Sequence, residues 1–501
     1  MIRRGLFLSI LRGEQMGVFS SILFIIIFLN TTAAVITVFR EPREIAATWG
    51  WLIVLVMLPV IGFIIYFFFG RRIRKKRIFN LRAQETVGLQ ELVEQQQREL
   101  AYKKEQMGPA KFRFKSTHHE DLASFFLEAD DAIITDNNDV EIFVDGKEKF
   151  DRLKEDIKSA KHHIHILYYI FNQDEIGEEI MELLIEKAQE GVEVLVIYDA
   201  LGSRKTRNAF WNRLHDAGGQ SVAFFGYTLG FINWRINYRN HRKIVVIDGK
   251  VGYVGGFNIG DEYLGKGPLG AWRDTHLRIH GDAVYSLQSR FLVDWNAAVK
   301  EDKRREFIPE YFPLIESEGE NTIQVVSTGP DSDVQNIKLG LIKMILMAKK
   351  SVWLQTPYFI PDESVQEALI IAAMSGVDVR IMIPCKPDHP VVYRATEYYA
   401  SQLLKSGVKI YVYQKGFLHA KSMVIDGEIA TVGTSNFDMR SFRLNFEVNA
   451  FVYNEQFAKQ VEEEFINDLR NCTVANEKYF EKQDRWKRFK QKFARLFAPI
   501  L

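Results

Sequence analysis

The chain has 501 residues and carries 65 basic against 64 acidic side chains, so its formal net charge is +1. This length is too great for one compact core and indicates two or three domains. The near balance of charge argues against a protein that binds nucleic acid through a global positive field. Two cysteines are too few for a disulfide framework.

The N-terminus contains two long segments without charge, residues 16–39 and 45–70. About 20 apolar residues are enough to cross the hydrocarbon core of a bilayer. We therefore predict a membrane hairpin over residues 1–77, with spans at about 17–39 and 46–70. Nine Lys and Arg residues flank the hairpin, against two in its connecting loop. This difference predicts a multi-pass protein of the cell membrane whose large C-terminal part lies on the cytoplasmic side.

Residues 78–112 are rich in Gln, Glu, Arg and Lys, which predicts a solvated helical linker. From about residue 113, short apolar runs alternate with helix-length segments, as is typical of α/β architecture. The order of elements occurs twice, so we expect one domain over 113–310 and a second over 311–475. The predicted elements are strands at 163–170, 192–199 and 221–225 with a helix at 176–190, and then strands at 351–357, 377–383 and 408–413 with a helix at 362–375.

Each repeat carries one signature: a His, a Lys two residues later, an Asp five residues after the Lys, and an Asn seventeen residues after the His. The two copies are His241, Lys243, Asp248 and Asn258, and His419, Lys421, Asp426 and Asn436. One copy would be weak evidence, but two copies in matching surroundings are not chance. Lysines and asparagines can neutralise a phosphodiester, while histidines supply a nucleophile and a proton donor. Residues of these types can therefore serve a transfer reaction on a phosphodiester with no metal and no other cofactor.

The duplicated signature resembles the phospholipase D superfamily, in which two such halves build one site. The resemblance implies an α/β fold with two tandem phospholipase D-like α/β/α domains packed around that site, after the membrane hairpin. It also implies that a downstream carboxylate holds each motif His, and the matching residues are Asp274 and Glu447. The motif Asp residues, grouped with His and Lys as the catalytic signature, would mainly fix the local fold. Which His attacks phosphorus stays open.

The hairpin, linker and double signature together resemble the bacterial cardiolipin synthases of this superfamily. This resemblance implies transfer of a phosphatidyl group from one phosphatidylglycerol to another through a phosphatidyl-histidine, giving cardiolipin and glycerol. The implied partners are phosphatidylglycerol and anionic membrane lipids, without nucleic acid. A membrane-bound phospholipase D hydrolase and a phosphatidylserine synthase-like transferase are the main alternatives. Near-neutral charge disfavours a nuclease, and intact motifs in both halves disfavour an inactive scaffold.

Four further segments carry expectations. Three histidines within 162–165 alternate along a predicted strand, which we interpret as a strand with one buried and one exposed face rather than as metal ligands. The aromatic-rich segment 224–240 and the loop 263–272 are predicted to shield the site from water. Residues 476–501 place aromatic side chains on one helical face and basic ones on the other. They are expected either to bind an anionic membrane or to pack on the catalytic domain.

Overall fold

The computed structural model describes residues 117–226, 237–332 and 334–499, together with residue 114 and parts of 21–66 and 92–100. The backbone divides into two units. One unit comprises Met1–Ile73 with Tyr227–Asn237, and the other comprises Arg74–Gly226 with Tyr238–Leu501.

The first unit contains two described helices, α1 (Ile45–Met57) and α2 (Ile61–Ile65). They form a small apolar contact in which Leu55 and Tyr66 are buried. The rings of Trp51 and Tyr66 meet edge to face, with centroids 5.1 Å apart. This contact joins the two helices within the unit.

The sequence predicts two membrane spans in this part of the chain. Within the ranges that the structure describes, no helix is long and apolar enough to cross a bilayer. Most of the predicted span at 17–39, part of that at 46–70, and most of the predicted linker at 78–112 lie outside the described residues.

The second unit begins with α3 (Thr117–Asp130) and then forms a first α/β half. Its strands are β1 (Thr135–Phe143), β2 (His163–Tyr168), β3 (Glu193–Asp199), β4 (Gln220–Phe224), β5 (Arg239–Asn240), β6 (Ile244–Ile247), β7 (Val251–Gly255), β8 (Trp272–Arg273) and β9 (His276–His280). Its helices are α4 (Gly146–Ser159), α5 (Glu175–Gln189), α6 (Asn208–Asp216) and α7 (Ala283–Ala298).

The second half repeats this order. Its strands are β10 (Asn321–Thr328), β11 (Ser351–Gln355), β12 (Phe359–Ile360), β13 (Asp378–Pro384), β14 (Lys409–Tyr413), β15 (Phe417–Leu418), β16 (Ser422–Ile425), β17 (Ile429–Gly433), β18 (Phe437–Asp438), β19 (Asn445–Val452) and β20 (Cys472–Val474). Its helices are α8 (Asn336–Met347), α9 (Glu363–Met374), α10 (Pro390–Leu403), α11 (Met439–Arg443), α12 (Glu455–Leu469), α13 (Glu477–Glu481) and α14 (Arg485–Ala494).

Local signals in the sequence set the ends of these elements. Asp145, Asp174 and Asp362 accept backbone N–H groups at the first turns of α4, α5 and α9, as N-cap residues do. The predicted strands and helices are all present, with ends that differ from the predicted ones by no more than two residues.

One sheet runs through both halves in the order β20-β14-β13-β11-β16-β17-β19-β10-β1-β9-β7-β6-β2-β3-β4. In the first half, the parallel strands β2, β3 and β4 continue into the antiparallel strands β6, β7 and β9. In the second half, β11, β13 and β14 continue in the same way into β16, β17 and β19. The halves join where β1 and β19 flank β10. The prediction of two tandem α/β domains is confirmed.

Strand β2 is covered on both faces. Ile164 lies in the apolar core with α4 and α5, and the ring of Phe291 from α7 stacks on His165 at 4.6 Å. All six residues of β2 are buried, so the expectation of one exposed face is wrong. His163 and His165 both bond the Gln288 side chain, and burial lowers the pKa of His163 to about 3. These histidines are packed core residues.

The C-terminal helix α14 packs on α10 through one face. Ala494 and Ala498 lie in a small apolar cluster with Ala395 of α10. Lys487 Nζ lies 2.8 Å from the buried carboxylate of Glu397. The C-terminal segment therefore packs on the second half. This is one of the two alternatives expected for it.

The opposite face of α14 carries three exposed aromatic side chains, here called the aromatic ridge: Trp486, Phe489 and Phe493. They are 64 %, 55 % and 52 % exposed. Neighbouring rings stack, with centroids 5.4 Å apart for the first pair and 6.2 Å for the second. Packing on α10 thus leaves an apolar face turned outward.

Candidate active site

Both motif histidines line one cavity of about 810 Å³ within the second unit. Its wall takes side chains from both halves, among them Asn258 and Trp272 from the first and Asn436 from the second. The two copies of the signature therefore contribute to a single site.

Each motif histidine is placed by a short strand that pairs with the opposite half. β5 runs parallel to the start of β19, and His241 N donates to Phe446 O at 2.9 Å. β8 likewise runs parallel to β15, and His419 N donates to Arg273 O at 2.7 Å. The residue that follows each carbonyl acceptor is a carboxylate. The backbone contact that places a histidine therefore also brings a carboxylate beside it.

These carboxylates are exchanged between the halves. His241 Nδ1 lies 2.9 Å from Glu447 Oε2, and His419 Nδ1 lies 2.6 Å from Asp274 Oδ2. Asp274 and Glu447 are the two carboxylates that the sequence singles out, but each holds the histidine of the other half, and Asp274 precedes His419 in the chain rather than following it. An Nδ1–H that donates to a carboxylate fixes the ring and leaves the Nε2 lone pair for chemistry.

The surroundings of the two carboxylates differ at equivalent positions, fifteen residues after each motif histidine. In the second half this position is Thr434, whose hydroxyl donates to Glu447 Oε2. In the first half it is Gly256, where a Cβ atom would lie 1.8 Å from Asp274 Oδ1. A larger residue at 256 would displace the carboxylate that holds the histidine.

Burial dominates the protonation of the two histidines. It lowers the pKa of His241 to about 4, although Glu447 opposes the shift. It lowers the pKa of His419 to about 4 as well, with Lys421 adding to the effect and Asp274 opposing it. Burial alone would raise the pKa of both carboxylates, but the charges that face them hold it below the usual range. At neutral pH the site presents neutral imidazoles and ionised carboxylates.

The motif lysines are buried beside the histidines. Nζ of Lys243 donates to His241 O at 2.7 Å, and Nζ of Lys421 donates to His419 O. Burial lowers the pKa of Lys243 well below its usual value and that of Lys421 to about 8, while the two carboxylates oppose the shift. An entering phosphate anion favours the charged form of both lysines. The pair can therefore supply positive charge to a phosphodiester.

The two motif asparagines differ in their contacts. Asn258 Oδ1 accepts from Ile170 N at 3.1 Å, and its Nδ2 donates to the Tyr263 hydroxyl at 2.8 Å. Asn436 also lines the cavity, and its Oδ1 has no hydrogen-bond partner within the described part of the chain. The Asn436 side chain also hydrogen-bonds the Asp438 carboxyl, so both amides are tied to their own half.

The motif aspartates lie away from the cavity. Asp248 has a left-handed φ of +53° and accepts the backbone N–H groups of residues 161–163. Asp426, with a φ of +54°, does the same for residues 349–351. Neither of these described carboxylates lines the cavity. Their grouping with the catalytic residues is therefore corrected: they fix the starts of β2 and β11.

Among the side chains of the wall, sequence reasoning missed Tyr169 and Asp438. The ring of Tyr169 packs on His241 with centroids 5.1 Å apart, and Trp272 packs on His419 at the same distance. The buried carboxyl of Asp438 also lines the cavity, and burial raises its pKa to about 6. Asp438 occupies the position of Gly260 in the first half, so a search for residues repeated in both copies does not find it.

Part of the predicted shield contributes to the wall. Tyr263, Pro268, Leu269 and Trp272, all from the predicted loop 263–272, line the cavity. From the predicted segment 224–240, Arg239 lines it. Residues 227–236 of that segment lie outside the described residues.

Two equivalent α/β halves that each contribute a His–Lys pair to one cavity define a phosphodiester-transferring enzyme of the phospholipase D type. Comparison with known families agrees. The family model described as cardiolipin synthase, PLD-like domain, matches residues 153–282 and 341–469, and that described as phospholipase D-nuclease N-terminal matches residues 23–71. The chain belongs to the cardiolipin synthase family, and it is a phosphatidyltransferase of the phospholipase D type.

Relatives with this name match almost the whole chain. A cardiolipin synthase of Listeria monocytogenes serotype 4a (strain HCC23) is 50 % identical over 490 residues, which cover 97 % of this chain and 100 % of the relative. The major cardiolipin synthase of Bacillus subtilis (strain 168) is 46 % identical over 488 residues, with the same coverage.

A solved structure shares the fold. The phosphatidylserine synthase of Haemophilus influenzae Rd KW20 superposes with a TM-score of 0.57, covering 72 % of this chain and 95 % of that one. The two sequences are 16 % identical, so this likeness concerns architecture alone.

Proposed function

We propose that the protein makes cardiolipin by moving the phosphatidyl group of one phosphatidylglycerol onto a hydroxyl of another, with release of glycerol. The observation that carries this proposal is the exchange of carboxylates, which unites one histidine from each half in a single cavity. The buried lysines beside both rings supply the positive charge that a phosphodiester needs. The names of relatives about half identical to this chain support the same reaction.

In the first step, Nε2 of one motif histidine attacks the phosphorus of the donor lipid. The bond from phosphorus to the headgroup glycerol oxygen breaks, and the other histidine gives that oxygen its proton. A phosphatidyl-histidine and glycerol result. The anionic phosphate itself favours the protonated form of the second ring, whose carboxylate stabilises the added charge.

In the second step, a hydroxyl of the acceptor lipid attacks the phosphorus. The second histidine takes the hydroxyl proton, the phosphorus–nitrogen bond breaks, and both rings return to their starting state. Lys243, Lys421, Asn258 and Asn436 are proposed to hold the phosphoryl oxygens, while Asp274 and Glu447 orient the rings.

The acceptor distinguishes the synthase from its alternatives. Attack by water would give phosphatidic acid, as in a phospholipase D, and attack by serine would give phosphatidylserine. The test is to incubate the purified full chain with phosphatidylglycerol alone and to identify the products. We expect cardiolipin and glycerol, and excess glycerol should drive cardiolipin back to phosphatidylglycerol because one phosphodiester replaces another. Phosphatidic acid as the dominant product in both conditions would reject the proposal.

A membrane location follows from the N-terminal sequence. We propose that residues 1–77 form a two-span anchor, 78–112 the linker, 113–310 and 311–475 the two catalytic domains, and 476–501 the C-terminal segment. The uncharged runs and the family match at 23–71 support the anchor, and the distribution of basic residues supports a cytoplasmic catalytic part. A protease added outside intact cells should not cut beyond residue 80. Cleavage there would reverse the orientation.

The aromatic ridge of α14 is proposed to contact the anionic surface of the same membrane. Its three rings are exposed, and Lys490 Nζ lies 5.3 Å from the Trp486 ring. Exposed aromatic side chains among basic ones suit the boundary between headgroups and acyl chains.

A further inference from the structure

The cavity wall differs in charge between equivalent positions of the two halves. Glu262 and Arg440 each lie twenty-one residues after their motif histidine, and both line the cavity. The loop after β3 contributes Lys205 to the wall, whereas the equivalent loop after β13 contributes Asp388. Duplication has produced a matched pair of histidine sites with unmatched surroundings.

Two of the cationic side chains surround Tyr169. The charges of Arg239 and Arg440 both act on its hydroxyl and oppose the rise in pKa that burial causes. Arg239 is buried and lies 3.6 Å from Asp199, so this carboxylate balances one positive charge. Asp438, which also lines the cavity, acts on Arg440 in the same way, so each arginine has an opposing carboxylate and the pair brings two guanidinium groups to this side of the cavity.

Lys205 belongs to the same side because its loop packs on Tyr169. Ser203 Oγ donates to Tyr169 O at 3.2 Å, and a Cβ atom at Gly202 would lie 2.9 Å from the tyrosine ring. Lys205 itself is exposed at the cavity wall. We call Lys205, Arg239 and Arg440 the basic pole.

Elsewhere the wall carries acidic and hydroxyl side chains instead of basic ones. The Tyr358 hydroxyl donates to Asp388, and Glu262 acts on the neighbouring Tyr263. Carboxylates and hydroxyls of this kind bond uncharged alcohols but repel a second phosphate. The basic pole is therefore the side of the wall suited to another anion.

We infer that the basic pole binds the phosphodiester of the acceptor lipid. This inference rests on the proposed function, in which the acceptor is itself an anionic phospholipid. Only the carbon atoms of one glycerol separate the two phosphates of the product, so both phosphates must fit in one cavity. Lys243 and Lys421 face the phosphate that is transferred, and the second phosphate needs cations of its own. Water, glycerol and serine lack that phosphate, so the pole selects the acceptor.

The test compares two acceptors in one reaction. The full chain in mixed micelles is given phosphatidylglycerol and labelled glycerol, and cardiolipin is measured alongside labelled phosphatidylglycerol. The two products share the donor lipid and the phosphatidyl-histidine, so their ratio does not depend on how much enzyme is folded. The variants are Lys205→Gln and Arg440→Gln, with Arg440→Lys as the charge-conserving variant. Arg207→Gln is the matched control, since this exposed arginine lies two residues from Lys205 outside the wall.

We expect the ratio of cardiolipin to labelled phosphatidylglycerol to fall about tenfold in each glutamine variant, the effect of losing one charge-assisted hydrogen bond. In Arg440→Lys the ratio should stay close to that of the unaltered chain, and in Arg207→Gln it should be unchanged. An unchanged ratio in the glutamine variants, or an equal fall in Arg207→Gln, overturns the inference. If Arg440→Gln is inactive in both reactions, the product ratio of Lys205→Gln alone tests the inference. Failure of the proposed function would give a different result from failure of this inference, because the unaltered chain would then make no cardiolipin.

Discussion

Glu447 Oε2 lies 2.9 Å from His241 Nδ1, although 206 residues separate them in the chain. The same relationship, reversed in chain order, holds between Asp274 and His419. Neither half contains a complete histidine–carboxylate pair, so neither can provide an oriented histidine alone. The two halves therefore form one catalytic unit rather than two sites that happen to be adjacent.

Glu447→Gln should lower kcat by about 10²- to 10⁴-fold, because the amide keeps the shape of the side chain but loses the charge that fixes the tautomer and stabilises the protonated ring. Asp274→Asn should act in the same range through the other histidine. The measurement is kcat with saturating phosphatidylglycerol, with thermal unfolding as the control for folding. A change of only a few fold would show that the carboxylates are not needed to orient the rings.

His241→Ala and His419→Ala should each reduce turnover by about 10³-fold or more, and the double variant should be no worse than either single one. Residues that act as one unit are strongly non-additive, because the loss of either stops the same two-step exchange. Rates of all three variants should be compared at equal folded protein. Losses that multiply in the double variant would mean that the histidines act independently.

Much of the site could be predicted from the sequence because the duplicated signature repeats both residue types and spacing. His241, Lys243, His419 and Lys421 all come together as their motifs suggest. The strands that lead to them are apolar runs of ordinary length, which is why their ends were predicted closely. Periodicity and spacing can be read only within a continuous segment of sequence. Each motif and each of these strands lies within such a segment.

The exchange of carboxylates could not be predicted in the same way. It depends on β5 and β8, strands of two residues that carry no periodic signal and pair only across the two halves. The charge difference between Glu262 and Arg440 was missed for a related reason. A search for agreement between repeats discards the positions where they disagree, and those positions give the cavity its two sides.

Asp248→Ala should lower stability more than catalysis. The alanine removes the acceptor for the backbone N–H groups of residues 161–163 and must adopt a φ of +53° that suits it poorly. Lys161 and His162 are exposed, so their N–H groups can bond water, but His163 is buried, and an unsatisfied buried donor costs about 1–3 kcal/mol. The midpoint of thermal unfolding should therefore fall. Asp248→Asn, which tolerates this φ and keeps one acceptor oxygen, is the control and should fall less. If kcat per folded enzyme fell as far as in Glu447→Gln, Asp248 would have a catalytic role after all.

The pH profile should show an alkaline limb that belongs to the two motif lysines. Burial lowers the pKa of Lys421 to about 8 and that of Lys243 well below its usual value, and both ammonium groups must carry their charge to hold a phosphate. The parameter kcat/KM reports the enzyme without substrate, so it should fall as pH rises through about 8. Bound lipid phosphate favours the charged lysine, which places the corresponding limb of kcat at higher pH. A limb of kcat/KM near the ordinary lysine value of about 10.4 would contradict this assignment.

The aromatic ridge should lie against lipid when the full chain is in vesicles. Replacing Trp486, Phe489 and Phe493 together by Ser should lower activity on anionic vesicles more than in detergent micelles, because only the vesicle offers an extended surface. The matched control is Ile371→Ser with Met374→Ser, two apolar side chains on α9 that are 54 % and 75 % exposed.

Contact with acyl chains can be measured directly at Trp486. The chain has eight tryptophans, so fluorescence quenching by brominated lipids is compared between the unaltered chain and Trp486→Phe, and the difference isolates one ring. Phenylalanine keeps the ridge apolar, so the helix should stay in place while the signal is lost. We expect the difference to be clear with anionic vesicles and smaller with neutral ones, since the flanking basic residues add about 1 kcal/mol each to binding at an anionic surface. Equal quenching of the two proteins on anionic vesicles would show that the ridge faces water, and its exposed rings would then need another partner.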